Sequence, residues 1–248
     1  MKPTAPAGTQ AIIRAIRLLK AFSRTRSEFT LTELAREIGL TKTTAHRLLA
    51  ALCSEGLVER DELNGRYRLG VGVFAMATNM AIGRSLITAA HPMLERLVDE
   101  FGESASVEVL SAGEVIIVDE VEPDSRTVPG PNIGTRWPLH ATSTGKIFLA
   151  FSRAGTRLLH PPLQRYTDNT ITDIDFLSQM TGEIRTAGYA TSWSELEENF
   201  AAVAAPILNP GGIVCGAVCV GGPVRRLQQE RLDLVGRRLR VAAQSLGA

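Results

Sequence analysis

The stretch Gln10 to Arg24, QAIIRAIRLLKAFSR, places apolar side chains at Ile12, Ile13, Ala15, Ile16, Leu18, Leu19 and Phe22. That recurrence predicts an amphipathic helix. In TLTELAREIG, Thr30 and Glu33 form a capping-box pattern ahead of a stripe made by Leu31, Leu34 and Ile38, and Gly39 supplies the stop. Thr41 caps a third helix, with Ala45, Leu48, Leu49 and Leu52 on its apolar side and Gly56 at its end. In LVERDELNGRYRL, Asn64-Gly65 predicts a hairpin closed by a type I′ turn. The first 70 residues thus read as three helices and a hairpin.

Residues 71–83, VGVFAMATNMAIG, read as a linker helix, and a second amphipathic helix runs from about Leu86 to Phe101. Alternating runs, SASVEVL and VIIVDEV, predict strands split by the turn SAGE. TRWPLHATSTGKIFLAF reads as a strand entering a helix, and FLSQMTGEIRTAGYA as a helix ending near Gly188. AAVAAPIL and IVCGAVCVGG are strands around NPGG, and Pro223 to Gln244 is a closing helix. Helices interspersed with antiparallel hairpins predict an α+β sensor-like domain.

The chain has 248 residues, 44% apolar and 21% charged, enough for two domains. No apolar run reaches the roughly 18 residues of a membrane span. MKPTAPAGTQ lacks a signal-peptide core and reads as a short disordered tail. Three cysteines, Cys53, Cys215 and Cys219, are an odd and sparse set that fits a reducing cytoplasm. The net charge of +1 hides an asymmetry: residues 1–70 carry 12 basic against 7 acidic side chains, the remainder 15 against 19. A basic N-terminal part suits a polyanionic partner.

Two helices joined by a tight turn, the second capped and polar on one side, describe a helix-turn-helix. Lys42, Thr43, Thr44, His46 and Arg47 would then face a major groove. Lys and Arg donate to guanine and Thr meets a base or a thymine methyl, while His46 suits a phosphate. The hairpin becomes a wing that brings Arg66 and Arg68 to phosphates.

In CGAVCVG, alternation puts the small residues Cys215, Ala217, Cys219 and Gly221 on one strand face and Val214, Val218 and Val220 on the other. A face of small residues leaves space for a ligand, or packs tightly against a helix. The helix start after His140 offers backbone N–H groups of Ser143, Thr144 and Gly145 to an anion.

Enzyme chemistry finds little footing. Cys215 and Cys219 sit four apart, roughly 13 Å at about 3.3 Å per residue, too far for a disulfide. His46, His91, His140 and His160 show no zinc-ligand spacing, so no metal or cofactor is expected. TSTGK lacks the leading glycine of a phosphate-binding loop. A thiol enzyme using Cys219 with His140, and a winged-helix regulator without a ligand, are the lesser readings.

These segments, in this order, resemble the IclR family of bacterial transcriptional regulators. LTELAREIGLTKTTAHRLLAALCSEGLVERD is similar to the family's winged helix, and WPLHATSTGKIFLA and EENFAAVAAPILNPGGIVCGAVCVGGPVRRL to its effector domain. The resemblance implies an α+β chain: a disordered tail (1–9), a winged helix-turn-helix domain (10–70), a linker helix (71–83), and a GAF-like domain for effector binding and oligomerisation (84–248). It implies promoter DNA, a small-molecule effector such as an organic or aromatic acid, and further copies of the chain in a dimer or tetramer as partners.

The family's pocket positions fall on His140, Ala141, Thr142, Ser143, Thr144 and Gly145, and on Ser192, Ala202, Cys219 and Gly221. Ser192 and Ala202 stand where members often hold an acid and a cysteine. Where members often show SISGP this chain reads CVGGP. These departures remove polar partners of a small hydroxy- or keto-acid and favour a bulkier or more apolar effector.

Overall fold

The first 70 residues fold around the caps that their sequence provides. The computed structural model describes residues 8–22, 27–78, 81–124 and 133–246. Helix α1 (Gln10–Phe22) precedes a two-residue strand, β1 (Glu28–Phe29), which the sequence pattern does not predict. In α2 (Leu31–Glu37), Thr30 Oγ1 accepts from Glu33 N, and the Glu33 carboxylate accepts from Thr30 N at 2.8 Å. Both halves of the capping box are made. Helix α3 (Lys42–Ser54) starts at Thr41, whose hydroxyl accepts from Thr44 N. Leu18, Phe22, Phe29, Leu34, Leu49, Leu52 and Val58 form one buried cluster.

Strands β2 (Val58–Arg60) and β3 (Tyr67–Leu69) are antiparallel, and β1 adds to β3. The turn between them corrects the expectation. Gly65 has φ +67°, but Asn64 is not among the residues with positive φ, so no type I′ turn forms. Instead the Asp61 carboxylate accepts from Leu63 N and Asn64 N, and Asp61 N donates to Arg66 O. An Asx-type loop of several residues replaces the two-residue turn. At the wing's base, a Cβ on Gly70 would lie 2.3 Å from Gly56 O, so the chain can return there only as glycine.

Helix α4 (Val71–Thr78) is shorter than the expected linker helix, and α5 (Ala81–Phe101) begins earlier than Leu86. Gly83 falls in the first turn of α5 rather than between helices. Residues 79–80 lie outside the described residues, as do 1–7 of the expected tail. The chain divides into two units, Met1–Arg84 and Ser85–Ala248.

The second unit is built on an antiparallel sheet. Its strands are β4 (Ser104–Ser111), β5 (Glu114–Val121), β6 (Arg136–Trp137), β7 (Ala190–Trp193), β8 (Phe200–Leu208) and β9 (Val214–Pro223). They lie in the order β6-β5-β4-β9-β8-β7. The two-residue turn of positive φ occurs here, at Ala112 (54°) and Gly113 (81°). Helices α6 (Ser143–Phe151), α7 (Ile174–Ala187) and α8 (Gln229–Gln244) complete the unit. Gly188 ends α7 in the left-handed conformation, as the sequence suggests. The closing helix starts at Gln229 rather than Pro223, because Pro223 still belongs to β9 and its carbonyl accepts from Arg226 N and Leu227 N in a turn.

Each sheet face carries its own core. Leu94, Leu97 and Phe101 of α5 and Val235 and Leu239 of α8 pack with Val107, Val203, Val218 and Val220. Ile147 and Phe148 of α6 and Leu177 and Ile184 of α7 pack with Ala202, Ala204, Ala217 and Cys219. The valine and small faces of β9 are therefore as expected from Ala217 to Val220, but not at its start. Ile207 pairs with Gly216 and Leu208 with Val214, so Cys215 is the extra residue of a bulge. Cys215 turns to the α5–α8 side, donates to Ile207 O at 3.3 Å, and leaves Val214 on the other side.

Candidate functional site

Helix α3 presents one face to the core and another to solvent. Ala45, Leu49 and Leu52 are buried, while Lys42, Thr43, His46 and Arg47 are exposed at helical spacing. Thr44 differs: it is half-buried and its hydroxyl lies 2.9 Å from that of Thr41. On the wing, Arg68 pairs with Glu59 at 3.2 Å and Arg66 lies 3.9 Å from Glu33. Exposed Arg60, which the sequence reading passes over, lies over the Tyr67 ring at 5.9 Å.

In the second unit, β4, β8 and β9 and the start of α6 line a partly open cavity of about 530 Å³. Period-two alternation carries Ser104, Ser106 and Glu108 of β4 onto it, and Cys219 and Gly221 of β9 beside them. Thr142, the N-cap of α6, sets Ser143 and Thr144 against the same space. Ile117, Trp137 and Phe200 provide apolar wall, and Arg225 and Arg226 reach it from beyond β9.

Of the expected pocket positions, Ala141, Thr142, Ser143, Thr144, Ser192, Ala202, Cys219 and Gly221 line this cavity together. His140 and Gly145 do not. His140 Nε2 lies 2.8 Å from Gln164 O, and the ring stacks at a tilt on Tyr166. Gly145 faces the preceding loop, where a Cβ would lie 2.1 Å from Leu139 O. Its N–H is taken by Thr142 Oγ1 at 3.1 Å, so it is not offered to an anion.

Beside the α6 start the cavity holds a buried carboxyl. Glu108 is buried there and accepts from Ser106 Oγ at 2.8 Å. Desolvation pushes its carboxyl pKa up, against the Ser106 hydrogen bond. Cys219 Sγ lies 3.7 Å from Ser143 Oγ. Burial first, and the Glu108 charge second, push the thiol pKa far up. A protonated thiol is a poor nucleophile, and His140 is turned away from it. The structure does not assemble the Cys219–His140 pair.

At the cavity wall, which Glu195 lines, Lys146 Nζ donates to Glu195 Oε1 at 2.6 Å and to Thr191 O at 2.9 Å. Burial lowers the Lys146 pKa, and the Glu195 carboxylate opposes that shift. Among the described residues, no group of three or more His, Cys, Asp or Glu side chains could hold a metal ion, and no helix is long and apolar enough to cross a membrane.

Comparison with known proteins matches both units. The profile of the IclR helix-turn-helix domain covers residues 11–62, and that of the bacterial transcriptional regulator IclR C-terminal domain covers residues 78–248. The transcriptional repressor IclR of Escherichia coli is 31% identical over 240 residues, covering 94% of this chain and 88% of that one. The glycerol operon regulatory protein of Streptomyces coelicolor is 34% identical over 224 residues, 89% of this chain and 87% of its own. The crystal structure of an IclR homolog complexed with 4-hydroxybenzoate, from Microbacterium hydrocarbonoxydans, superimposes with a TM-score of 0.82 at 25% identity, over 96% of this chain and 98% of that one. A helix-turn-helix with an exposed polar face, followed by a sheet domain that holds a partly open cavity, is thus matched along nearly its whole length, and the chain belongs to the IclR family of transcriptional regulators.

Proposed function

We propose that this IclR-type regulator binds promoter DNA as a dimer and changes its affinity when a small organic acid with an aromatic or otherwise apolar body occupies the cavity of the second unit. The observation that carries this reading is the cavity with its mixed polar and aromatic lining. Ser143, Thr144 and Ser192 beside Trp137 and Phe200 offer hydrogen bonds and apolar surface to a small organic acid. Occupancy acts by differential affinity for two arrangements of the chain. A thermal-shift screen of the full chain against small organic acids and aromatics, followed by DNA-release titration of each hit, tests it. Stabilisation with no change in DNA affinity, or no stabilisation by any compound, would refute effector control.

Lys42, Thr43, His46 and Arg47 are assigned to the major groove, Thr44 to fixing the helix start, and Arg66 and Arg68 to phosphates. Arg47→Ala is expected to cost about 1–3 kcal/mol of operator binding if its guanidinium is bidentate to a guanine. Fluorescence anisotropy against the operator and a scrambled duplex reads this, and equal losses on both would move Arg47 to the phosphates. Arg66→Ala should weaken both duplexes alike and make binding less salt-dependent.

The dimer reading rests on α1, where Ile12 is 62% and Ile16 45% exposed. Exposed aliphatics on one helix face suit a symmetric partner. Ile16→Glu is expected to yield monomers in sedimentation. Operator affinity should drop by roughly a hundredfold, because two half-sites are no longer bound together. A variant that sediments as wild type would take α1 out of the interface.

A further inference from the structure

The wing carries three arginines in different electrostatic settings. Arg68 lies 3.2 Å from Glu59, and Arg66 lies 3.9 Å from Glu33. Arg60 is exposed and makes no ion pair or hydrogen bond among the described residues. Its guanidinium carbon stands 5.9 Å from the centre of the Tyr67 ring, and a Cβ on Gly65 would lie 3.6 Å from its Nη2. The side chain therefore runs from the end of β2 across the ring to the turn of the hairpin. Tyr67 is 5% exposed, so the ring is a fixed support, and a guanidinium already held on it loses little freedom on binding. We infer that Arg60 is the sequence reader of the wing: it enters the minor groove next to the major groove held by α3 and selects A·T pairs there, with Leu63 against the sugar walls. This rests on the reading of α3 as the major-groove helix and adds base recognition to a wing otherwise assigned to phosphates.

The loop beyond Arg60 spends its polar side chains on itself. The Asp61 carboxylate accepts from Leu63 N at 2.8 Å and from Asn64 Nδ2 at 2.9 Å, and Asn64 Oδ1 accepts from Arg66 N at 2.8 Å. What the tip offers outward is Leu63, which is 99% exposed, Glu62, and the cation of Arg60. Glu62 repels phosphate, so the tip is no general phosphate clamp. An aliphatic side chain gains from the sugar and base surface inside a minor groove, where leucine is a recurrent contact.

The position of the hairpin relative to α3 selects the groove. A major groove about 12 Å wide admits one helix, and β2 follows α3 after only three residues, Glu55 to Leu57. A hairpin tied so closely beside that helix lies over the adjoining phosphate ridge, and its tip lies over the minor groove beyond. Runs of A·T pairs narrow that groove and deepen its negative potential, which draws in arginine. A G·C pair instead places the guanine 2-amino group on the groove floor.

Inosine separates the two grooves, since an I·C pair shows the minor-groove face of A·T and the major-groove face of G·C. The probe is the duplex that the full chain selects from a random pool, with the pairs bordering the α3 contacts made A·T, I·C or G·C. Fluorescence anisotropy should give wild-type protein equal affinity for the A·T and I·C borders and about tenfold weaker binding to G·C, the scale of one unfavourable base pair. Arg60→Ala should bring all three within about twofold of one another, at the affinity of the G·C duplex. Arg60→Lys keeps a cation and should restore part of the preference, which separates recognition from a loss of folding. Leu63→Ala should weaken the A·T and I·C duplexes by about threefold and leave G·C unchanged. If I·C binds as weakly as G·C, the border is read in the major groove and the inference is overturned. Equal losses on all three borders in Arg60→Ala would move Arg60 to a phosphate and also overturn it, while the reading of α3 stands. If the pool yields no preferred sequence, both readings fall.

Discussion

Replacing Lys146 with methionine is expected to destabilise the second unit by about 3–5 kcal/mol, because it leaves a buried carboxylate without its cation. Lys146 is 2% exposed and its ammonium holds Glu195 Oε1 at 2.6 Å, while Glu195 Oε2 has no hydrogen-bond partner among the described residues even in the wild type. The remaining support would be Trp193 N, which donates to Oε1 at 3.3 Å. The same ammonium donates to Thr191 O, so the substitution also unties β7 from α6. Those two elements bring Ser192 and Thr144 to the cavity, so effector affinity should weaken along with stability. Both tryptophans, Trp137 and Trp193, lie in the second unit, and urea unfolding followed by their fluorescence reports that unit alone. Adding Glu195→Gln should recover a good part of the loss, since an amide costs far less to bury than an unpaired charge. Additive losses in the double variant would mean that the pair does not act as a pair.

Much of this architecture is legible where a local interaction decides it. Thr30 with Glu33, Thr41, Gly39 and Gly188 mark helix ends by chemistry that needs no partner from elsewhere in the chain, and all four marks are realised. Legibility fails where a contact outside the motif overrides the motif's own preference. Asn64-Gly65 has the composition of a type I′ turn, yet the Asp61 carboxylate organises the loop instead. The positive-φ pair forms at Ala112-Gly113, where an alanine is held left-handed by the β4–β5 pairing on either side. The bulge at Cys215 belongs to the register of β8 against β9, which periodicity within one strand does not contain. The site divides the same way. Family positions bring eight of their ten residues to the cavity, but not Glu108, because alternation alone does not say what covers the polar face of SASVEVL. In the folded chain that face is covered by the start of α6, so Ser106 and Glu108 are buried polar groups on a cavity.

Leucine at Gly221 is expected to abolish the response to effector while the protein stays folded and bound to DNA. Gly221 pairs with Ala202 on β8 and Ser104 on β4, in the cavity wall, and its φ lies outside the left-handed region, so a larger residue fits the backbone. An added Cβ would come within 2.9 Å of Phe200 Cζ and 3.5 Å of Ala202 Cβ. The near neighbour is the far end of a ring that is 39% exposed and can swing outward. The rest of the leucine then enters a space of about 530 Å³ rather than a packed core, where the same insertion would cost about 1–3 kcal/mol. A single methylene that crowds a ligand costs up to about 200-fold in discrimination, so a whole isobutyl group should lower effector affinity by more than about a hundredfold. A thermal melt and a DNA-release titration on one preparation decide the matter. A melting temperature far below wild type, with DNA binding lost in step, would mean that Gly221 packs against its neighbours and borders no usable space. Release of DNA at the wild-type effector concentration would place the effector elsewhere. Cys219, two residues back on the same strand face, would then leave the site with it.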